Sequence, residues 1–223
     1  MEPSILYEDE QLVVVNKPAG MIVYPDGVHE YPALSHWLEK RYGEGNFHFV
    51  HRIDRETSGV LIIAKDAKTH EFLKEQFKNR EVQKTYRAFV MGTLKEERGM
   101  INKPIGSSRG GAGPRSARAP YGTEREALTI YRTIKAAPGA TYVEVFPKTG
   151  RTHQIRVHFA AIGHPIVADV LYGVGRPSTL GFARLALHAM AIRFIHPNGK
   201  EVAFEAPLPA DFIEAEKELY TTK

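Results

Sequence analysis

HFVHRIDRETSGVLIIAKD, residues 48–66, sets one carboxylate, Asp54, among His51, Arg52 and Arg55 and then runs straight into an apolar stretch. The near-continuous apolar runs FHFV (47–50) and GVLIIAK (59–65) predict strands covered on both faces. The segment therefore reads as strand, polar loop, strand. Upstream, LVVVNKPAGMIVYP (12–25) predicts strands over 12–15 and 21–24 around a loop marked by Asn16, Pro18 and Gly20. Pro32 then opens a short helix with Leu34, Trp37 and Leu38 on one face and Gly43 at its end. Downstream, Asp66 caps a helix predicted over 67–80 with Phe72, Leu73 and Phe77 inward, and KTYRAFVM (84–91) alternates like a strand that leaves Tyr86 on one face.

Residues 99–123 have a different composition, with six glycines, three prolines, the four cations Lys103, Arg109, Arg115 and Arg118, and no acid. They read as one long basic loop. EALTIYRTIKA and TYVEVFPK then flank a Pro138–Gly139 turn as a hairpin. In KTGRTHQIRVHFAAIGHP (148–165), Thr152 can cap a helix whose apolar stripe is Ile155, Phe159 and Ile162, with Gly163 and Pro165 as the stop. A second hairpin turns at HPNGK (196–200), and a closing helix follows Pro209. No internal repeat, heptad pattern or linker composition divides the chain, so a single domain over 1–223 is expected.

Composition narrows the chemistry. The 223 residues are 43% apolar and 25% charged, enough for one well-buried domain. Thirty Lys and Arg against 26 Asp and Glu leave a mild positive excess, so a polyanion would be met by a local patch. Absence of cysteine excludes disulfides, thiolate zinc sites and a cysteine nucleophile, and fits a reducing compartment, with the cytoplasm as the expected location. No run approaches the ~20 apolar residues that cross a bilayer, so no membrane partner is expected. HRID lacks the kinase arrangement, Ser58 lacks a nucleophile elbow and reads as a turn residue before Gly59, and no histidine pair has metal-binding helix spacing.

Several stretches together resemble the RluA-type family of RNA pseudouridine synthases, over nearly the whole chain. VVVNKPAGMIVYP resembles the family's NKPxG segment, and HRIDRETSGVLIIAKD its HRLDRxTSG loop with Ile53 at a Leu position. KTYRAFV is similar to the tyrosine motif, KTGRTHQIRVHFAAIGHPIVADVLYG to the arginine motif, and LHAMAIRFIHPNGKEVAFEAPLP to the closing hairpin. The resemblance implies an α+β pseudouridine synthase fold: a long, mixed, mostly antiparallel sheet with flanking helices and a central cleft. The chain is expected to begin at the catalytic region, without the small RNA-binding module many relatives carry in front.

Family chemistry detaches uracil from its ribose, rotates it and rejoins it through C5. By resemblance Asp54 acts at the sugar or base, as nucleophile or as base, and must be ionised. Burial beneath a flipped base opposes ionisation and a nearby guanidinium favours it, a part the resemblance gives to Arg156, 102 positions later. Tyr86 is implied to lie against the target uracil, with its hydroxyl placed to help remove the C5 proton. Arg52 takes the space the flipped base leaves. His51 and Arg55 shape the loop or meet phosphate, and Ile155 packs beside the base. Lys103, Arg109, Arg115 and Arg118 are expected to grip RNA. Neither cofactor nor metal is implied. The partner is structured RNA, ribosomal first and transfer RNA second, bound by a monomer; the alternative is a noncatalytic RNA-binding or ribosome-assembly protein.

Overall fold

The computed structural model describes residues 2–25, 27, 30–107, 115–117, 121–175 and 179–221. The chain divides into two compact units, Met1–Lys84 with His188–Pro207, and Thr85–Leu187 with Leu208–Lys223. In chain order, β1 (Ser4–Glu8), β2 (Leu12–Lys17), α1 (Leu34–Tyr42), β3 (His48–Phe49), β4 (Ser58–Ala64) and α2 (Ala67–Lys78) come first. β5 (Gln83–Met91), β6 (Arg98–Asn102), β7 (Ile105–Ser107), β8 (Arg115–Ser116) and β9 (Tyr121–Arg125) follow. β10 (Leu128–Ala137), β11 (Ala140–Pro147), α3 (Gln154–Ala161), β12 (Leu187–Ile195), β13 (Glu201–Glu205) and α4 (Ala210–Thr221) complete the chain.

The first unit is built around β4. β2 pairs with it antiparallel from Leu12↔Ala64 to Lys17↔Gly59, β1 adds to β2, and β3 pairs with the far end of β4. β12 pairs with the start of β4 in parallel, through His188↔Ser58 and Ala189↔Gly59, and makes the sheet mixed. Leu61–Ala64 and Leu12–Val15 have no accessible surface, as the continuous apolar pattern predicts for a strand covered on both faces. Each such Val, Leu or Ile contributes about 1.5–3 kcal/mol by leaving water. Gly59 is required by the parallel contact: its φ is +117° and a Cβ there would lie 2.1 Å from the Ala189 carbonyl oxygen. Ser58 opens β4 with its Oγ 2.9 Å from His188 Nδ1, so it is a sheet residue and not a turn residue.

Asp66 caps α2 as expected, accepting from Thr69 N–H at 2.8 Å. Leu73 is fully buried, but Phe72 is 40% exposed, because α2 ends at Lys78 and its buried stripe runs through Thr69, Leu73 and Gln76. The apolar run 21–24 does not form a strand. Among the described residues its ladder contact is a bridge between Ile22 and Ala33, while Met21 and Val23 are buried as loop residues.

The second unit carries the antiparallel order β5-β11-β10-β6. The Pro138–Gly139 turn joins β10 to β11, with Gly139 at φ +85°. The core of this unit gathers Phe89, Val143, Val145, Phe159, Phe182 and Phe212 from the sheet, α3, α4 and the segment before β12, with Phe89 stacked on Tyr142 at 4.4 Å. The stretch read as a loop over 99–123 contains four strands. β6 extends the main sheet, and β8-β7-β9 form a separate small sheet. Arg109 and Arg118 lie outside the described residues.

Candidate active site

The loop that bears Asp54 is fixed from below by a buried cation. Lys17, last residue of β2 and without accessible surface, donates its ammonium to the carbonyl oxygens of Pro18 at 2.9 Å, Met21 at 2.7 Å and Arg55 at 3.1 Å. Gly20 N–H adds a bond to the same Arg55 carbonyl at 2.8 Å. One lysine therefore ties the NKPAG loop to the residue after Asp54. A fully buried ammonium is tolerable only with its donors satisfied, and three carbonyls satisfy them. Thr57 N–H donates to the Asp54 carbonyl at 3.1 Å, closing a turn that leaves the half-buried Asp54 between two arginines.

Those arginines differ. Arg52 is exposed. Arg55 ion-pairs with Glu56 and holds its guanidinium 4.0 Å above the Tyr31 ring, which anchors it along the loop. His51 shapes the loop from beneath. Its Nε2 accepts from Ile62 N–H at 3.0 Å, and its ring stacks on Phe77 at 4.7 Å. Burial, with the Lys84 ammonium adding to it, pushes its pKa from 6.5 down to about 3, so the ring is neutral near pH 7. Burial likewise brings Lys84 down to about 8.

In the second unit, Tyr86 pairs with Val145 across β5 and β11 and packs partly buried on the core. Arg156 on α3 is buried, and its guanidinium grips Asp169 two-pronged: Nε to Oδ2 and Nη2 to Oδ1, both at 2.8 Å. Asp169 Oδ1 also accepts from the N–H groups of Leu171 and Tyr172 at 3.0 and 3.1 Å. The Tyr172 ring lies 5.2 Å beneath the guanidinium carbon. A charge pair this dry is held by complete hydrogen bonding.

α3 is set in place by a polar chain at its buried face. Gln154 accepts from the Thr149 hydroxyl at 2.6 Å and from Arg151 N–H at 3.0 Å, and donates to Leu128 O and Thr129 Oγ1, both at 3.0 Å. His158 lies 2.9 Å from both the Thr129 hydroxyl and the Lys103 carbonyl. A carbonyl only accepts, so Nε2 carries the proton and Nδ1 takes the hydroxyl's. Burial lowers the His158 pKa and keeps that tautomer neutral. The helix begins at Gln154, after His153 in the left-handed region at φ 55°, and not behind a Thr152 cap. His153 Nδ1 instead meets Tyr172 OH at 2.9 Å.

Residues 11–161 match the family model described as RNA pseudouridylate synthase. The chain belongs to the RNA pseudouridine synthases. As an enzyme of that family it is an isomerase acting on RNA uridines. The ribosomal large subunit pseudouridine synthase D of Zymomonas mobilis is 39% identical, over 93% of this synthase and 70% of that relative. The ribosomal large subunit pseudouridine synthase C of Vibrio cholerae is 38% identical, over 96% and 69%. The solved structure of human RNA pseudouridylate synthase domain containing 4 superposes with a TM-score of 0.79 at 26% identity, covering 97% of this synthase and 93% of that chain. The α+β pseudouridine synthase fold is therefore this synthase's fold.

Among the described residues of the synthase, no helix is long and apolar enough to cross a membrane, and no cluster of His, Asp and Glu is arranged to hold a metal ion. Ile155 is buried in the second unit's core cluster. Lys103 contributes its carbonyl to His158, while Arg115, on β8, donates through Nη1 to Ser107 Oγ at 3.0 Å. Lys17 and Asp169 carry no role predicted from sequence, although both lie inside the quoted motifs. A lysine in an otherwise apolar strand end and an acid within the apolar run PIVADVLY were the signals available.

Proposed function

We propose that this synthase converts specific uridines of structured ribosomal RNA to pseudouridine, with transfer RNA as the second candidate. It does so as a cytoplasmic monomer whose residues 1–223 form one catalytic domain. The supporting observation is the three-carbonyl grip of Lys17, because a reaction that breaks and remakes a glycosidic bond needs its carboxylate on a loop that does not move. The ribosomal naming of the relatives in Zymomonas mobilis and Vibrio cholerae supports the RNA class.

In this reading Asp54 acts at the sugar or the base, as nucleophile or as base. The N1–C1′ bond breaks, uracil rotates, C5–C1′ forms, the C5 proton leaves and N1 takes up a proton, so that substrate and product are isomers. Tyr86 lies against the uracil and assists that departure. Arg156 supplies the positive charge that favours the carboxylate over the neutral acid, and Arg52 fills the space the flipped nucleotide leaves. Arg55 and Ile155 frame the reacting nucleotide, and Lys103, Arg109, Arg115 and Arg118 engage RNA phosphates. The isomerisation is redox-neutral and imports no group, so it calls for neither cofactor nor metal.

Carbodiimide mapping of pseudouridine in unmodified ribosomal and transfer RNA, after incubation with the protein, tests the target class. Discrete new stops in ribosomal RNA are expected. Stops confined to transfer RNA would replace the ribosomal target, and none in either would contradict the reading.

A further inference from the structure

The small sheet β8-β7-β9 and the turn 150–152 enclose a polar cavity of about 330 Å³ within the second unit. Arg115, Arg125 and Arg151 reach its lining, joined by the hydroxyl residues Ser107, Thr123 and Thr152, and among the described residues no acidic or aromatic side chain does. The alternation of β9 produces this segregation. Thr123 and Arg125 face the cavity, whereas Glu124 between them is absent from its lining.

The arginines' own hydrogen bonds leave their charge unneutralised. Arg115 donates to Ser107 Oγ and Arg151 Nε to the Glu126 carbonyl, both at 3.0 Å, so both acceptors are neutral. Among the described residues none of the three ion-pairs with a carboxylate. Three guanidinium groups around one concavity repel each other unless an anion sits between them. Their forked N–H groups suit phosphate oxygens, and hydroxyls add donors on the same wall.

We infer that this cavity binds a backbone phosphate of the substrate RNA. The inference rests on the RNA reading above and adds Arg125, Arg151, Ser107, Thr123 and Thr152 to the residues that engage the strand. It also gives the contact a consequence. Arg151 N–H bonds Gln154, and Gln154 ties α3 to β10, so a phosphate in the cavity registers the RNA against the helix that carries Arg156.

The test is the salt dependence of binding to an unmodified ribosomal RNA transcript. Each lost phosphate contact reduces the slope of log affinity against log salt by about 0.7–0.9. The Arg115→Gln/Arg125→Gln variant is expected to flatten the slope by at least one such step, and Arg125→Lys, which keeps the charge, to retain most of it. Lys78→Gln removes one charge from the exposed end of α2 and controls for net charge. An unchanged slope in the double variant would overturn the inference. So would equal flattening by Lys78→Gln, or a loss in Arg125→Lys as large as in Arg125→Gln. The readout is binding and not product, so a failed cavity and a failed ribosomal target show up in separate measurements.

Discussion

Arg156 and Asp169 meet edge to edge, with Nε and Nη2 each 2.8 Å from a carboxylate oxygen and both side chains nearly inaccessible. Removing the acid takes the two-pronged carboxylate from a buried guanidinium and leaves two N–H groups of the 170–172 turn without their acceptor. Asp169→Ala is predicted to cost about 3–5 kcal/mol of stability, read from urea denaturation. Asp169→Asn keeps an acceptor oxygen and should cost less. Equal stability of Asp169→Ala and wild type would show that the pair holds nothing.

Lys17 offers a sharper link between folding and activity. Lys17→Met keeps the aliphatic stem but removes the charged donor of the Pro18 and Met21 carbonyls and leaves the Arg55 carbonyl only Gly20 N–H, and hydrogen bonds to charged groups are each worth about 1.5–3 kcal/mol. Lower thermal stability is expected, and a single-turnover rate that falls further than RNA affinity, because the loop bearing Asp54 is what comes loose. Stability loss with an intact rate per folded molecule would confine Lys17 to folding.

His51 gives the fold an acid-side liability. The folded protein keeps this ring neutral down to about pH 3, whereas the unfolded chain protonates it near 6.5. Unfolding therefore takes up a proton within that window. The contribution is complete above pH 6.5 and is lost as pH falls toward 3, with a slope of at most about 1.4 kcal/mol per pH unit. Stability of wild type measured at about pH 7 and about pH 5 should fall more than that of His51→Gln. Parallel falls would remove His51 as the cause.

Tyr86→Phe keeps the ring that packs on the core and removes only the hydroxyl. If that hydroxyl assists proton removal from C5, the saturated rate should drop by about 10²-fold or more while RNA affinity stays close to wild type. Release of a C5 hydrogen isotope from labelled uridine measures it. A wild-type rate would reduce Tyr86 to a stacking and packing residue.

What the sequence made legible was local. Asp66 announces its cap, Pro138–Gly139 its turn, and the apolar run 59–65 a strand covered on both faces, because each signal and its structural cause lie within a few residues. The Ile155, Phe159 and Ile162 stripe likewise lands on the second unit's core. What escaped was long-range. Nothing beside Ser107 reveals that it pairs with Tyr121 and Arg115, so a glycine-rich run concealed a three-stranded sheet. The Lys17 contact to Arg55 crosses 38 positions, and the helix boundary falls at His153 and not Thr152, with the His153 ring reaching Tyr172. At the candidate site the residue types were readable in the motifs, whereas the supports beneath them, Lys17 and Asp169, show in sequence only as polar residues in apolar runs and take their partners from packing.

The role of Asp54 is tested most directly by Asp54→Asn, which keeps the size and hydrogen-bonding capacity of the side chain but can act neither as nucleophile nor as base. Carbodiimide mapping of the RNA after incubation should show no pseudouridine with this variant, while its RNA affinity and urea midpoint stay close to wild type. Pseudouridine formed by Asp54→Asn at a rate comparable to wild type would contradict the account.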